Sequence, residues 1–472
     1  MYSSRMRLWT IFNYLLVPFL CILSSLYVLF GNSRVEYNLM FLLPIVFLFC
    51  YELLLKRNLT NSFKVFSISY TSVSAIRYVL APVLIVLAGR YDGRSLTTPS
   101  EDSFFLAFLL MIMELLVCSL LIWVLGKKLE KNKNKKKECT FSKRWVIYVS
   151  FIIITFSMIL FKPELLSSFS FIRPNVEMLN YSDFEIFDQI VILFTNVSKN
   201  LVMLFILASF YKKYCSKKSL SWVFLSFVVI MINNLFYFGT NRFDFVLNII
   251  ASTIIFCKIY KDYWKITTII MAVLCCIGFA MISQARNSYE SLGNGDASYK
   301  MADLSQIYFG GPYNVAIAIE AAKAFPEGRN ISTALYDCTR SVIGLNVLVR
   351  KIDDVKLTDY YFNKRIFNNG QNTQIIPMIG EGYYLFGIIL APLLDVMFIF
   401  IAYLLTKKKD EWSLEIEFFF ILSLVRLGFI NCQSATIQLD DLSFNLFVPL
   451  ALFFVNRFIC VGSVKDISEV KK

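Results

Sequence analysis

The sequence predicts an all-α, polytopic membrane protein with about twelve transmembrane helices and one large loop outside the membrane. Of the 472 residues, 57% are hydrophobic and only 17% are charged, whereas soluble domains carry about a quarter charged residues. Apolar runs of about twenty residues recur from end to end, and a helix of that length crosses the hydrocarbon core of a bilayer. Because lipid offers the backbone no hydrogen-bond partner, such runs must be helical.

The predicted helices divide the chain into three parts. Residues 1–283 hold the first nine helices, residues 284–375 form the large loop, and residues 376–472 hold the last three helices and a tail. The segment from Gly239 to Asp244 interrupts the apolar pattern and predicts a tight hairpin. The predicted spans are residues 9–30, 38–55, 68–89, 103–125, 145–161, 187–210, 220–238, 243–260, 266–283, 376–405, 414–430 and 442–461.

Clusters of lysine and arginine predict the orientation, because cytoplasmic loops of membrane proteins are enriched in these residues. If the spans alternate, all the clusters fall on one side, which is then the cytoplasmic face and holds both termini. The net charge of +13 follows from this asymmetry, and no nucleic-acid partner is expected. The clusters lie at residues 56–57, 127–144, 212–218, 258–265 and 407–409.

The loop at 284–375 has the pattern of a folded cap on the outer membrane surface. Gly310-Gly311-Pro312 breaks a helix. Residues 314–325 have an alanine-rich helical pattern, and residues 330–351 have the pattern of an amphipathic helix capped by Asn330 or Ser332. Such a helix is expected to lie in the membrane interface.

Four arginines at or near the predicted outer ends of helices are candidates for binding phosphate. An arginine within a span is costly and usually faces a polar cavity or a partner, and its fork of donors matches phosphate. Convergence of all four on one outward-facing cleft would suit a lipid-linked pyrophosphate. Alternatively, each arginine pairs with a nearby acid or extends to the interface. The four are Arg242, Arg286, Arg340 and Arg426.

Carboxylates are the candidates for a general base, since the chain has no histidine. Glu381 lies at the outer end of the tenth predicted span, and Gly380 and Gly382 on either side would leave room for a ligand. Deeper in the spans, Arg77 and Glu114 predict a buried structural pair, and Asp395 predicts a hydrogen bond that holds helices together. No nucleotide-binding or metal-binding motif is found, so neither a cofactor nor a bound metal is expected.

Short segments of the chain resemble the Wzy-type polymerases that join O-antigen or capsule repeat units in bacteria. The hairpin Gly239-Thr240-Asn241-Arg242-Phe243, the loop segment Tyr308-Phe309-Gly310-Gly311-Pro312, and the segment from Ile376 to Gly387 carry the likeness. The number of predicted helices and the large external loop are similar as well. The resemblance implies a GT-C-like arrangement of helices in the bacterial cytoplasmic membrane.

The resemblance also implies a reaction, in which a growing glycan moves from undecaprenyl pyrophosphate to a lipid-linked oligosaccharide repeat unit at the outer face. Arg242 and Arg286 would stabilise the leaving pyrophosphate, and Glu381 would assist the attacking sugar hydroxyl. The implied partners are the lipid-linked oligosaccharide, membrane lipid and a chain-length regulator protein. Further contacts to phosphate or sugar would come from Arg340, Arg426, Asp244, Tyr308 and Tyr313.

Two alternative functions remain open at this point. A flippase for lipid-linked oligosaccharides would be expected to show two similar halves and only short outer loops, and the loop of about ninety residues disagrees with that. A ligase of the O-antigen type would be expected to use a histidine in an outer loop, and the sequence has none. Asp244, two residues after Arg242, has the simpler alternative role of ion-pair partner.

Overall fold

The structure is a computed structural model that describes most of the chain. Its description omits residues 1–11, 90–92, 94, 96, 132–140, 142–144, 172–184, 240–241, 288–296, 350–354, 368–373, 410–412 and 470–472. The described residues are nearly all helical, which confirms the predicted all-α class. Among them, seven helical segments are long and apolar enough to cross a membrane: Tyr14–Gly31, Val35–Leu59, Lys64–Leu87, Glu101–Lys131, Ile186–Lys217, Lys261–Gln284 and Ala435–Phe458.

The chain forms two compact units. The first comprises Met1–Lys135, Gly293–Lys407 and Leu424–Ser443, and the second comprises Lys136–Leu292, Lys408–Ser423 and Phe444–Lys472. The predicted large loop therefore shares a unit with the first four predicted spans, because long-range packing and not chain order decides which helices meet.

The first unit contains the N-terminal helices and the helices of the predicted loop. A π-helical turn, Ile76–Leu80, joins α3 to α4, so that Lys64–Leu87 is one continuous segment. The helices are α1 Val17–Gly31, α2 Leu42–Cys50, α3 Lys64–Ala75, α4 Ala81–Leu87 and α5 Glu101–Lys131. Helices α6 to α10 belong to the second unit and are Val146–Phe161, Ile186–Lys217, Leu220–Leu235, Arg242–Ile259 and Trp264–Asn287.

The remaining helices follow the second unit's main block in the chain. The loop region supplies α11 Ala297–Tyr308, α12 Pro312–Ala324, α13 Ile331–Ser341, α14 Leu345–Val349 and α15 Thr358–Phe367. After it come α16 Met378–Phe386, α17 Leu393–Lys409, α18 Leu414–Leu427 and α19 Ala435–Glu469. The break between α11 and α12 falls at Gly310-Gly311, as the Gly-Gly-Pro segment predicted.

Helix α12 forms the centre of the first unit. Residues Val315 to Ile319 are fully buried on every face, which is typical of a helix inside a core and not of one on a surface. The helix packs against α5, α15 and α16. Its alanines allow these close approaches, so the alanine-rich part of the predicted loop is an internal column of the fold.

The second unit contains a small β ribbon that the sequence did not predict. Strand β1, Phe169–Phe171, pairs antiparallel with β2, Phe236–Phe238, with Ser170 opposite Tyr237. The ring of Phe169 stacks on that of Phe236 at 4.8 Å. The ribbon leads into Gly239, whose φ of 61° lies in the left-handed region that favours glycine. The predicted tight hairpin therefore directly follows strand β2. Residues 240–241 of the hairpin lie outside the described residues.

Two predicted helices are broken in the structure. The span predicted at 376–405 is wrong as a single helix, because α16 ends at Gly387 with a φ of 78° and Pro392 precedes α17. The amphipathic helix predicted at 330–351 is divided between α13 and α14 at Gly344, whose φ is 89°. The predicted cap is confirmed, since the Asn330 side chain accepts a hydrogen bond from the Thr333 N–H at 2.8 Å.

Candidate functional site

Glu381 lies in α16 of the first unit and is 1% exposed. Its Oε2 accepts a hydrogen bond of 2.6 Å from the N–H of Ala435, the first residue of α19. The N-terminus of a helix carries unpaired N–H groups and a partial positive charge. The carboxylate therefore caps the start of α19. Glu381 itself belongs to α16, at the predicted outer end of a span.

The structure places two further carboxylates near Glu381, of which Asp337 is buried and Asp359 is half-buried. Asp337 in α13 accepts hydrogen bonds from the N–H of Thr358 at 3.1 Å and from its hydroxyl at 2.5 Å. Asp359 in α15 accepts bonds from the Ile376 N–H at 3.2 Å and from the hydroxyls of Ser434 and Thr436 at 3.3 and 3.2 Å. Both aspartates lie within electrostatic range of Glu381, and we call the three side chains the carboxylate cluster.

Burial tunes the acidity of the two aspartates. Loss of hydration raises the pKa of Asp337 to about 7, with the nearby Asp359 charge adding to the rise and the Thr358 hydrogen bonds opposing it. Loss of hydration also raises the pKa of Asp359 to about 6, against hydrogen bonds from Ile376, Thr436 and Ser434. A carboxyl group with a pKa near neutrality can take up and release a proton under physiological conditions, which suits general acid–base chemistry.

The glycines beside Glu381 serve helix packing, which corrects the prediction that they leave room for a ligand. A Cβ at Gly382 would lie 1.9 Å from the carbonyl oxygen of Ala391, and one at Gly380 would lie 2.7 Å from the Cβ of Ala318. Contacts this short exclude any side chain. The two glycines allow α16 to approach α12 and the turn before α17, and that close packing buries Glu381.

Two of the four predicted arginines lie in the first unit. Arg340 stands one helical turn after Asp337 on α13 and is half-buried, so the two side chains share a face of the helix. Arg426, at the end of α18, is 6% exposed and forms an ion pair with Asp441. For Arg426 the alternative interpretation, pairing with a nearby acid, is therefore confirmed.

The other two predicted arginines lie in the second unit. Arg242 begins α9, and Arg286 lies in the last turn of α10, but their side chains fall outside the description. Their approach to a common cleft stays a prediction. Asp244 lies within electrostatic range of Lys199, whose Nζ donates a 2.6 Å hydrogen bond to the Phe236 carbonyl. Lys199 was missed because it lies among polar residues, Asn196, Ser198 and Asn200, inside a predicted span.

The two tyrosines predicted to contact phosphate or sugar differ in exposure. Tyr308 is 39% exposed, and its role stays a prediction. Tyr313 is 2% exposed, and its ring lies 6.1 Å from that of Phe104 in the core of the unit. A sugar contact at Tyr313 would need an exposed ring, and the structure shows a buried one, because α12 lies inside the core of the unit. A different aromatic pair, Tyr361 and Tyr384, stacks at 5.9 Å beside the carboxylate cluster's helices.

The ionisable residues deep in the predicted spans are Arg77, Glu114 and Asp395. The guanidinium Nη1 of Arg77 lies 3.1 Å from Oε2 of Glu114, with both side chains fully buried, so the predicted structural pair is confirmed. Tyr78 also donates to Glu114, at 2.7 Å. Both carboxyl oxygens of Asp395 are buried and accept no hydrogen bond from any described side chain or backbone group other than their own residue's. The prediction that Asp395 bonds two helices is therefore wrong.

Among the residues described, no group of three or more Cys, Asp or Glu side chains is arranged to hold a metal ion. The carboxylate cluster does not form such a group, because its oxygens turn toward helix starts and hydroxyl groups. Comparison of the chain with protein-family models, with curated proteins and with solved structures found no match.

Proposed function

We propose that the protein is a polysaccharide polymerase of the bacterial cytoplasmic membrane. It would transfer a growing glycan from undecaprenyl pyrophosphate to a lipid-linked oligosaccharide repeat unit at the outer face. The observation that carries the proposal is the carboxylate cluster of the first unit, with Arg340 one turn from Asp337. The cluster supplies an acid–base group, and the arginine supplies a cation for a phosphate.

The reaction makes two demands on the protein. The acceptor hydroxyl loses its proton as its oxygen bonds to the anomeric carbon, and the bond from that carbon to the pyrophosphate breaks, so that the lipid pyrophosphate leaves with the electron pair. A base near neutral pKa serves the first demand. Positive charge fixed near the leaving group serves the second.

The residues suit these two roles to different degrees. Asp337, with its pKa raised to about 7, is well matched to a base at neutral pH. Glu381 uses one oxygen to close α19, so as a base it would use the other, which is buried in this structure. Arg340 pairs with no acid among the described residues, whereas Arg426 is held by Asp441. Arg340 is therefore the arginine of this unit that is most available for a phosphate. The roles expected for Arg242 and Arg286, which lie in the second unit, stay predictions.

A deletion and complementation experiment tests the proposal. Cells lacking the gene should display single repeat units on the surface anchor, without the ladder of longer chains. The wild-type gene should restore the ladder, while Asp337→Asn, Glu381→Gln and Arg340→Ala should not. Matched controls are Glu327→Gln, an exposed loop carboxylate, and Arg57→Ala, a largely exposed arginine paired with Glu130. Normal ladders from all three site variants would refute the assignment.

A second candidate function is transport of the lipid-linked oligosaccharide across the membrane. The buried charges Arg77, Glu114 and Asp395 favour it, because ionisable residues inside a membrane commonly mark translocation pathways. The same deletion strain separates the two functions. If repeat units accumulate at the cytoplasmic face, the transporter interpretation is correct and the polymerase proposal fails.

A further inference from the structure

A fully buried group of ionisable side chains lies in the first unit, apart from the carboxylate cluster. Arg77 stands in the π-helical turn Ile76–Leu80, Glu114 in α5 and Asp395 in the first turn of α17. All three are 0% exposed. A π turn inside a helix is rare and is frequent at functional sites. We call Arg77, Glu114 and Asp395 the buried triad.

The hydrogen bonds of the buried triad are incomplete on both sides. Nη1 of Arg77 contacts Glu114 and donates to the Asn431 carbonyl, but its Nε and Nη2 have no partner in the described part of the chain. Neither oxygen of Asp395 has one. A buried donor or acceptor that lacks a partner costs about 1–3 kcal/mol, and more when it is charged.

The charges of the buried triad do not cancel if both acids are ionised. Arg77 stays protonated, and Glu114 neutralises it through a direct ion pair supported by Tyr78. An ionised Asp395 would leave one net negative charge without a hydrogen bond. The other groups that interact electrostatically with Asp395 are Tyr70, Cys118 and Glu381. None of these is a cation.

A proton resolves this imbalance. Placing an isolated carboxylate in a protein interior costs several kcal/mol even after relaxation, and the group usually neutralises instead. A protonated Asp395 would be neutral and would gain an O–H donor. Glu114 is the weaker candidate for the proton, because Arg77 and the Tyr78 hydroxyl both stabilise its ionised form.

We propose that the buried triad is an intramembrane proton-binding site that holds one exchangeable proton at neutral pH, carried by Asp395. The proposal is independent of the polymerase function, because it rests on residues that the glycan transfer does not use. It assigns a ligand, the proton, to a group in which only Arg77 and Glu114 form an ion pair.

Infrared difference spectroscopy of the full-length protein in lipid tests the proposal through the C=O stretching band of a protonated carboxyl group. The spectra are recorded at about pH 8–9, above the values to which burial raises the pKa of Asp337 and Asp359, about 7 and about 6. All samples carry Glu381→Gln, because burial raises the pKa of the Glu381 carboxyl well above its usual value and would add a second band. Protein with an intact triad should show a buried protonated carboxyl whose band shifts in heavy water. Asp395→Asn should abolish the band, and the matched control Glu327→Gln should leave it unchanged.

Charge counting predicts two more spectra. Glu114→Gln should also abolish the band, because Asp395 then ionises to neutralise Arg77. Arg77→Gln should add a second protonated carboxyl, because both acids then lack a cation. Far-ultraviolet circular dichroism on each variant verifies that the helices are intact. If one of the three triad variants fails to fold, the spectra of the other two still test the proposal.

The proton's carrier has its own test. Tyr78 donates to Glu114, so Tyr78→Phe should leave the position of the band unchanged if Asp395 carries the proton. A shifted band in Tyr78→Phe would overturn the assignment to Asp395. If the spectra of protein with an intact triad and of Asp395→Asn show the same protonated-carboxyl band, the proposal of a proton site is wrong.

Discussion

Individual carboxylates in the loop region are held by donors from neighbouring helix starts. Asp337 bonds to Thr358 at the beginning of α15, and Glu381 bonds to Ala435 at the beginning of α19. Each of these residues thus combines a capping contact with a proton-binding group. Removing the charge without removing the contact is possible at Asp337, because asparagine has the shape and the hydrogen-bonding pattern of a protonated aspartate.

The stability of the first unit should fall as pH rises from about 4 to about 7. Burial raises the pKa of Asp337 from 3.8 to about 7, so between these values the folded protein binds a proton that the unfolded chain has lost. Folding is then favoured at the lower pH, and this contribution is lost as pH rises through the folded pKa. Asp359 contributes in the same direction up to about pH 6.

Thermal unfolding of wild-type protein and Asp337→Asn across this pH range measures the effect. In the variant the Asn oxygen can still accept from the Thr358 N–H and the amide group can donate to the Thr358 hydroxyl, and the melting temperature should fall less between pH 4 and pH 7 than that of the wild type. Glu327→Gln is the control, since its exposed carboxylate should not change the profile. Parallel profiles for Asp337→Asn and wild type would contradict a buried, proton-binding Asp337.

Substitution of Arg340 should chiefly lower the rate of polymer growth, and substitution of Arg426 should chiefly lower the melting temperature. Arg340→Ala should slow polymer growth by about a hundred- to thousandfold, the usual loss for one contact to a developing charge, with little change in melting temperature. Arg340→Lys should recover part of the rate, because lysine keeps the charge but lacks the fork. Arg426→Ala should chiefly lower the melting temperature, because it leaves Asp441 without its ion-pair partner.

Rates and melting temperatures measured on the same purified samples separate the two effects, with Arg57→Ala as the control for a largely exposed arginine. An Arg340→Ala protein that is fully active would remove this residue from the site.

Composition and periodicity predicted the helices, one cap and one break, but not the breaks at Gly344 and Gly387 or the burial of α12. The Gly-Gly-Pro break and the Asn330 cap were predictable, because both depend on local chemistry. The interruption of the tenth predicted span was not, because the residues from Gly387 to Pro392 are mostly apolar and continue the hydrophobic run.

The candidate site was predictable only in part for the same reason. Glu381 was identified from its place at the end of an apolar run. Asp337 and Asp359 were missed, because an acid among polar loop residues has the pattern of a solvated side chain. Their burial comes from the packing of α13 and α15 against α16 and the start of α19, which pair residues far apart in sequence.

Gly382→Ala should destabilise the packing of α16 beside α17. The added Cβ would lie 1.9 Å from the Ala391 carbonyl oxygen, a backbone atom that cannot rotate away, and overpacking of this kind costs about 1–3 kcal/mol. Gly31→Ala is the matched control, because its Cβ would meet only a methyl carbon of Val86.

Unfolding by denaturant in detergent compares the two variants. A Gly382→Ala protein as stable as Gly31→Ala would show that α16 does not approach the turn as closely as the structure has it.

At the scale of the whole molecule, the lysine clusters predict that the site region faces outward. Single cysteines introduced into a variant lacking the eleven native cysteines should report this with a membrane-impermeant reagent. Val355 in the loop region and Gly295, which lies outside the described residues, should react in intact cells. Lys408 and Lys133, the latter also outside the description, should react only after the membrane is opened.

A cytoplasmic Gly295 or Val355 would place the carboxylate cluster on the wrong side of the membrane for the proposed reaction. It would end the polymerase assignment together with the orientation.

The most direct measurement is polymerisation by purified protein in liposomes supplied only with lipid-linked repeat units. Wild-type protein should convert them into a ladder of longer chains, and should do so in the presence of a chelator, because charge on the leaving pyrophosphate is met by arginine. Asp337→Asn and Glu381→Gln should bind the repeat units with nearly unchanged affinity yet extend them at a small fraction of the wild-type rate. If wild-type protein leaves the repeat units single, or if both carboxylate variants build normal ladders, the account of this protein as a polymerase with its base in the carboxylate cluster is contradicted.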